Sequence, residues 1–184
     1  NMRSYEIELN NKTYSIKPVH SLCGHLINKY RIHGDKIIPN IYLKDYNKRV
    51  CTGEFYAVET FATTGSGDTY EDNNDCSHYM INYNSDFKKC DIPNNSQHMY
   101  KLIMKYFNTL AFCDRWLIGK SFKKNKSNEI LIENNLNKYL NSLCKSKIIT
   151  MYPPIYDNDD NSYSAQFEET IYVNELKTII LSKQ

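Results

Sequence analysis

The chain has 184 residues, with 23 Lys and Arg against 21 Asp and Glu, for a formal net charge of +2. That length suffices for one domain with a proper core, while the near balance of charge, without a basic stripe, excludes a nucleic-acid footprint. No apolar run approaches the ~18 residues that cross a membrane, no signal-peptide pattern is read, and six cysteines without a C-x-x-C pair favour a reducing, cytoplasmic setting over a disulfide frame or zinc ribbon.

Residues 5–9 alternate cleanly and predict a strand. Asn10-Asn11 suits a tight turn, because Asn tolerates positive φ. Residues 13–16 return as the partner strand, and Pro18 closes it. The chain enters a strand almost at once, so we expect it to be a piece of something longer. Leu22-Cys23-Gly24-His25 leads into Leu26 and on to His33. The two histidines share a face if that segment is extended throughout. Each is either a hydrogen-bonded structural residue or a ligand. Residues 36–43 read as extended around Pro39, and 44–53 as a polar loop.

Residues 54–61 are β-branched or aromatic at most positions and run into the turn residues 62–67. The period of two puts Phe55, Ala57, Glu59 and Phe61 on one face and Tyr56, Val58 and Thr60 on the other. A carboxylate in such company is costly unless something positive meets it. Glu59 is therefore either a salt-bridged core residue or a metal ligand or catalytic acid/base. Residues 68–75 are acidic and polar. An EF-hand starting at Asp72 would need Gly and Glu where Ser77 and Tyr83 stand, so calcium is rejected there.

From Ser96 the period changes. Met99, Leu102, Ile103, Tyr106, Phe107 and Leu110 form one helical stripe, with Asn95 or Ser96 as its cap. Residues 114–117 continue in a short helical turn, and 122–128 form a basic, solvated loop. A second helix is predicted over 128–142, with Ile132, Leu136, Tyr139, Leu140 and Leu143 inward. A strand starts at Ile148, and Tyr152-Pro153-Pro154-Ile155 fixes a rigid bend. Residues 157–161 read as a surface loop or a weak cation site. Residues 164–173 make a long strand, placing Glu168 with Gln166, Thr170 and Tyr172 and Glu169 on the opposite face. Residues 176–181 are the last strand.

The order is strands, helices, strands, an α+β pattern. His25, His33, Glu59, His78 and Glu168 stand at strand or strand-end positions. Mixed His and carboxylate donors suit Mn, Fe, Co or Zn over a calcium or magnesium cage of oxygens alone. The spacings alone do not force these residues together.

Several segments, in order, resemble the type 2 methionine aminopeptidases. They are Leu22-Cys23-Gly24-His25, Tyr30-Arg31-Ile32-His33, Tyr56-Ala57-Val58-Glu59-Thr60-Phe61 and Cys76-Ser77-His78-Tyr79-Met80. Thr109-Leu110-Ala111-Phe112-Cys113, Tyr152-Pro153-Pro154 and Ala165-Gln166-Phe167-Glu168 complete them. The resemblance runs nearly end to end. It implies the C-terminal part of a pita-bread fold, formed by residues 1–78 and 152–184, with a helical, winged-helix-like insertion over 79–151. It implies removal of the initiator methionine from nascent polypeptides, with ribosome association as a corollary. Two divalent ions (Co, Mn, Fe or Zn) are the implied cofactors.

By the same resemblance, His25, Glu59 and Glu168 match three of five metal ligands. Glu59 would also shuttle the proton of the attacking water, and His33 would contact the scissile carbonyl. Ile32, His33, Phe61, His78, Ala111 and Tyr152 match the substrate pocket. The family's two aspartate ligands and a further catalytic histidine have no counterpart here, implying an absent N-terminal half and putting activity of the chain alone in question. Gly34-Asp35 stands where a small residue and Gly are usual, Glu169 replaces a frequent His, and the 157–161 loop is slightly enlarged. Two other readings stand beside this one. One is a non-catalytic pita-bread homologue acting as a protein- or RNA-binding module. The other is a proline-specific peptidase, disfavoured by the insertion.

Overall fold

The computed structural model describes residues 2–85, 92–121 and 135–182. It is a mixed structure of several sheets and three α-helices among the described residues. The chain divides into two compact units, Asn1–Glu71 with Ile155–Gln184, and Asp72–Pro154.

The first unit is built on β-structure. Strands β1 (Glu6–Leu9) and β2 (Lys12–Ser15) form the expected hairpin. Asn10 and Asn11 turn it with φ of 53° and 59°, the left-handed pair that a two-residue hairpin turn requires. A short β3 (Lys17–Pro18) follows, then β4 (Cys23–Ile27), β5 (Ile37–Pro39), β6 (Phe55–Thr63) and β7 (Thr69–Glu71). After the second unit come β11 (Ile155–Asp157), β12 (Ser164–Val173) and β13 (Thr178–Ile180). The main sheet runs β13-β12-β6-β4-β5, with β3 also pairing β6. Its long antiparallel seam joins β6 to β12 from Phe55–Tyr172 through Glu59–Glu168 to Thr63–Ser164. The terminal strand is shorter than the sequence implies. The Asn174 amide donates to the Lys177 carbonyl (3.0 Å) and its side-chain oxygen accepts from the Leu176 amide (3.3 Å), so pairing starts only at Thr178.

A tight loop follows β6 and is fastened by one carboxylate. Asp157 accepts from the Thr63 hydroxyl (2.9 Å), the Ser66 amide (3.1 Å) and hydroxyl (3.0 Å), and the Gly67 (3.1 Å) and Asp159 (2.9 Å) amides. Burial alone would push this carboxyl up. The Asp159 amide, Thr63 hydroxyl, and Gly67 and Ser66 amides outweigh that and hold it well below the usual range. The acidic stretch at 157–161 is thus anchored by its first residue rather than being purely a surface turn.

The second unit has its own sheet, ordered β10-β8-β9, from β8 (His78–Ile81), β9 (Phe112–Cys113) and β10 (Ile149–Tyr152). Helices α1 (Asn94–Tyr106), α2 (Asp114–Ser121) and α3 (Leu136–Lys145) accompany it. The predicted stripe is largely kept: Met99 and Ile103 are buried with Leu140, Leu143, Phe112 and Tyr79. Two expectations are corrected. Pro93 is the N-cap and makes no side-chain cap bond, so neither Asn95 nor Ser96 caps α1. At the other end Asn108 turns left-handed (φ 52°), and its amide and that of Phe107 both bond the Ile103 carbonyl. This left-handed termination takes Leu110 off the helix and leaves it exposed. The 122–128 loop and the start of the helix expected over 128–142 lie outside the described residues. No helix among the described residues is long and apolar enough to cross a membrane.

The units differ in core. The buried apolar cluster of twelve residues lies wholly in the second unit. In the first, the buried hydrophobics among the described residues are Val19, Leu26, Tyr56 and Ala57.

Candidate metal and catalytic site

The site is a patch on one face of the main sheet. Glu59 pairs directly with Glu168 across the β6–β12 seam, and His25 pairs with Ala57, two residues before Glu59. Residues opposed in an antiparallel ladder, and their neighbours two along, share a face. The register therefore brings His25, Glu59 and Glu168 together, which their sequence spacing could not establish.

Two features hold β4 against β6. Gly24 leaves room for a close backbone approach: a Cβ there would collide with the Ala57 carbonyl and lie 2.9 Å from the Glu59 amide. The chain then reverses. Asn28 and Arg31 exchange backbone hydrogen bonds (2.9 and 3.0 Å) around Tyr30, whose φ is 59°, and the Gly34 amide donates to the Leu26 carbonyl. His25 and His33 therefore do not share a face of one extended strand, as the sequence allowed. The reversal returns His33 until the two rings meet edge to face, centroids 4.5 Å apart.

Glu59 is not unpartnered. Its Oε1 lies 3.2 Å from His25 Nε2, and both side chains are largely shielded, at 14% and 13% exposure. Burial first, then the charge of Glu168, push the Glu59 carboxyl up, with His25 opposing. Burial, then the His25 imidazole, lower the basicity of His33, which favours its neutral form. Burial, then Glu59, push the Cys23 thiol up, so this cysteine borders the patch as a thiol. Sequence reasoning had given Cys23 no role, although the period of two from His25 places it on the same face. It had also given none to Gln166, whose Nε2 donates to Glu168 Oε2 (3.2 Å) and Glu59 Oε2 (3.4 Å). The signal was its position two residues before Glu168.

The donor types fit a divalent cation: one imidazole nitrogen and two carboxylates. Here they engage one another, and among the described residues no group of three or more His, Cys, Asp or Glu is arranged to hold an ion.

The remaining sequence candidates fall in both units. Ile32 is part-buried just before His33, and Phe61 lies on the face of Glu59, opposite Gln166. In the second unit His78 pairs with both Tyr152 and Cys113, so His78 and Tyr152 are side by side. Ala111 immediately precedes β9. The His78 Nδ1 is 3.0 Å from the Ser77 hydroxyl. Burial, then Tyr83, push the Tyr152 hydroxyl up.

No family model matches the chain. It is 40% identical to methionine aminopeptidase 2A of Arabidopsis thaliana over 182 residues, covering 99% of this chain and 38% of that protein. It is 37% identical to methionine aminopeptidase 2 of Lachancea thermotolerans, covering 40% of it, and of Dictyostelium discoideum, covering 38%. The chain is methionine aminopeptidase 2-like. It spans about two-fifths of the length of these curated relatives, at 38–40%. Among solved structures it shares its fold with a thermophilic Arx1, at TM-score 0.70 and 16% identity over 90% of this chain and 40% of that one. The stretches similar to the methionine aminopeptidases 2 take in β4, β6 and β12, which carry the patch.

Proposed function

We propose that this chain is the C-terminal part of a metal-dependent aminopeptidase of the pita-bread fold that removes the initiator methionine from nascent polypeptides. The observation that carries this reading is the convergence of His25, Glu59 and Glu168 on one sheet face, in a sequence 37–40% identical to methionine aminopeptidases 2. These three residues would supply part of the donor set for two divalent ions drawn from Co, Mn, Fe and Zn. Bound ions would make water a nucleophile near neutral pH.

The chain's own residues take the other roles. Glu59, raised in basicity by burial and Glu168, takes a proton from the attacking water and returns it to the leaving amine. His33, favoured as the neutral imidazole, donates to the carbonyl oxygen as charge develops there. By sequence likeness, Ile32, Phe61, His78, Ala111 and Tyr152 are the candidates for contacting the methionine side chain. In this reading residues 79–151 are the type 2 insertion, and the ribosome supplies the substrate in the cytoplasm. The test is cleavage of a Met-peptide by the Mn-loaded chain, alone and joined to an upstream half bearing two aspartates. Turnover is expected only for the joined form, and Glu59→Gln there abolishes it while preserving the fold. Undiminished turnover by the Gln variant refutes the role of Glu59.

A second reading, a non-catalytic relative acting as a protein- or RNA-binding module, draws on two observations. His25 and Glu59 are engaged with each other, and the fold is shared with Arx1. Metal analysis of the joined form separates the two: about two divalent ions per chain for the peptidase, none for the binding module.

A further inference from the structure

Gln166 stands two residues before Glu168 on β12, directly across from Phe61 on β6. Its side chain is exposed, and its amide nitrogen reaches Oε2 of both Glu168 and Glu59, at 3.2 and 3.4 Å. The primary amide has two hydrogens and no charge, so it can give one to each carboxylate. Like charges directly opposite in a strand pair repel, and Glu59 and Glu168 are such a pair. The other Glu59 oxygen is met by His25 Nε2. Together His25 and Gln166 engage both oxygens of Glu59.

We infer that Gln166 is a positioning residue for the metal site, its neutral amide holding the Glu59 and Glu168 carboxylates towards one another. This rests on the peptidase reading above. The chemistry selects this side chain. A Lys here would also bridge the two carboxylates, but its fixed charge would repel an incoming dication. A Glu would add a third anion and lose both donors. Asn is one methylene shorter and cannot reach both partners. Gln gives order without charge, which a site awaiting a cation needs.

Two measurements test this, the first on the 184-residue chain and the second on the form joined to an upstream half bearing two aspartates. The first is the ¹⁵N–¹H signal of the Gln166 side-chain amide, without metal. It is expected outside the envelope of solvated Gln amides, with slowed solvent exchange, and Glu59→Gln and Glu168→Gln should each shift it. A signal inside that envelope that ignores both variants overturns the inference. The second is Mn²⁺ affinity by electron paramagnetic resonance. Gln166→Ala is expected to weaken it about 10- to 100-fold, with Gln166→Lys losing it altogether. Should the Ala variant not fold, Gln166→Asn replaces it, with the same loss expected. Equal Mn²⁺ affinity in the wild type and the Ala or Asn variant overturns the role of Gln166 alone. A wild-type joined form that takes up no Mn²⁺, while the amide signal answers both carboxylate variants, overturns the metal reading and this role with it.

Discussion

Gly24→Ala is the sharpest single perturbation of the patch. The added Cβ would collide with the Ala57 carbonyl and sit 2.9 Å from the Glu59 amide and 3.2 Å from Val58 Cα. All three are backbone atoms of β6, so no side chain can swing away. Ordinary contact would require β4 and β6 to separate locally by about half an ångström or more, against close packing that resists such a shift. Overpacking of this kind costs typically 1–3 kcal/mol, and the rigid neighbours put this case at the upper end, about 3 kcal/mol. His25 adjoins Gly24 and Glu59 is one of the displaced residues, so their 3.2 Å contact opens with the strands. A displacement of ~1 Å at reacting groups can cost about 100-fold in rate. The assay is denaturant unfolding of the chain, with Met-peptide turnover measured in the joined form. A variant with unchanged midpoint and undiminished turnover refutes the argument that close approach at Gly24 sets the site.

Asp157→Asn removes a charge that five donors address. Its amide nitrogen cannot accept from Gly67, so we expect a loss of about 2–4 kcal/mol at pH 7, from one stranded N–H and weaker remaining bonds. The wild-type carboxyl is held below its unfolded value, so its contribution is present above about pH 4 and fades as pH falls through the folded value. The gap between wild type and variant should narrow on acidification. A gap that is constant or widens from pH 7 to pH 3 contradicts the assignment. In the second unit Leu140 is fully buried, and Leu140→Ala should cost about 2–5 kcal/mol. Hydrogen exchange should then accelerate in α1, α3 and β10 and leave the β6–β12 seam unchanged. Equal acceleration in both units would show that they unfold as one.

Much of the first unit was legible because alternation is unambiguous in long strands. The faces assigned to β6 and β12 are those observed, and Asn10-Asn11 turns as its residue type requires. Register was not legible. Nothing in the order of residues says that Glu59 lies opposite Glu168 and not a residue to either side, yet that pairing makes the patch. Extension throughout would have put His25 and His33 on one face without contact; their contact arises from a reversal, and a left-handed Tyr30 gives no clear signal of it in the sequence. Tyr is a poor indicator of positive φ, unlike Asn. The cap of α1 was misplaced by a Pro-Asn-Asn-Ser run that offers several starts. Asp157 looked like one acidic residue among several, since four of its five donors lie some ninety residues earlier.

The sheet of the first unit is stitched from the two ends of the chain. Thr60 and Phe167 touch across 107 residues of sequence. A ribosome must deliver all of the second unit before β12 exists to pair with β6. That unit holds the dense apolar cluster, so it is suited to collapse first and turn a long, entropically costly closure into a short one. Until then β6 offers a bare hydrogen-bonding rim flanked by apolar side chains, the kind of template on which stray strands aggregate. A slow or destabilised second unit would therefore show itself as lost solubility of the whole polypeptide before any defect in the patch could be measured.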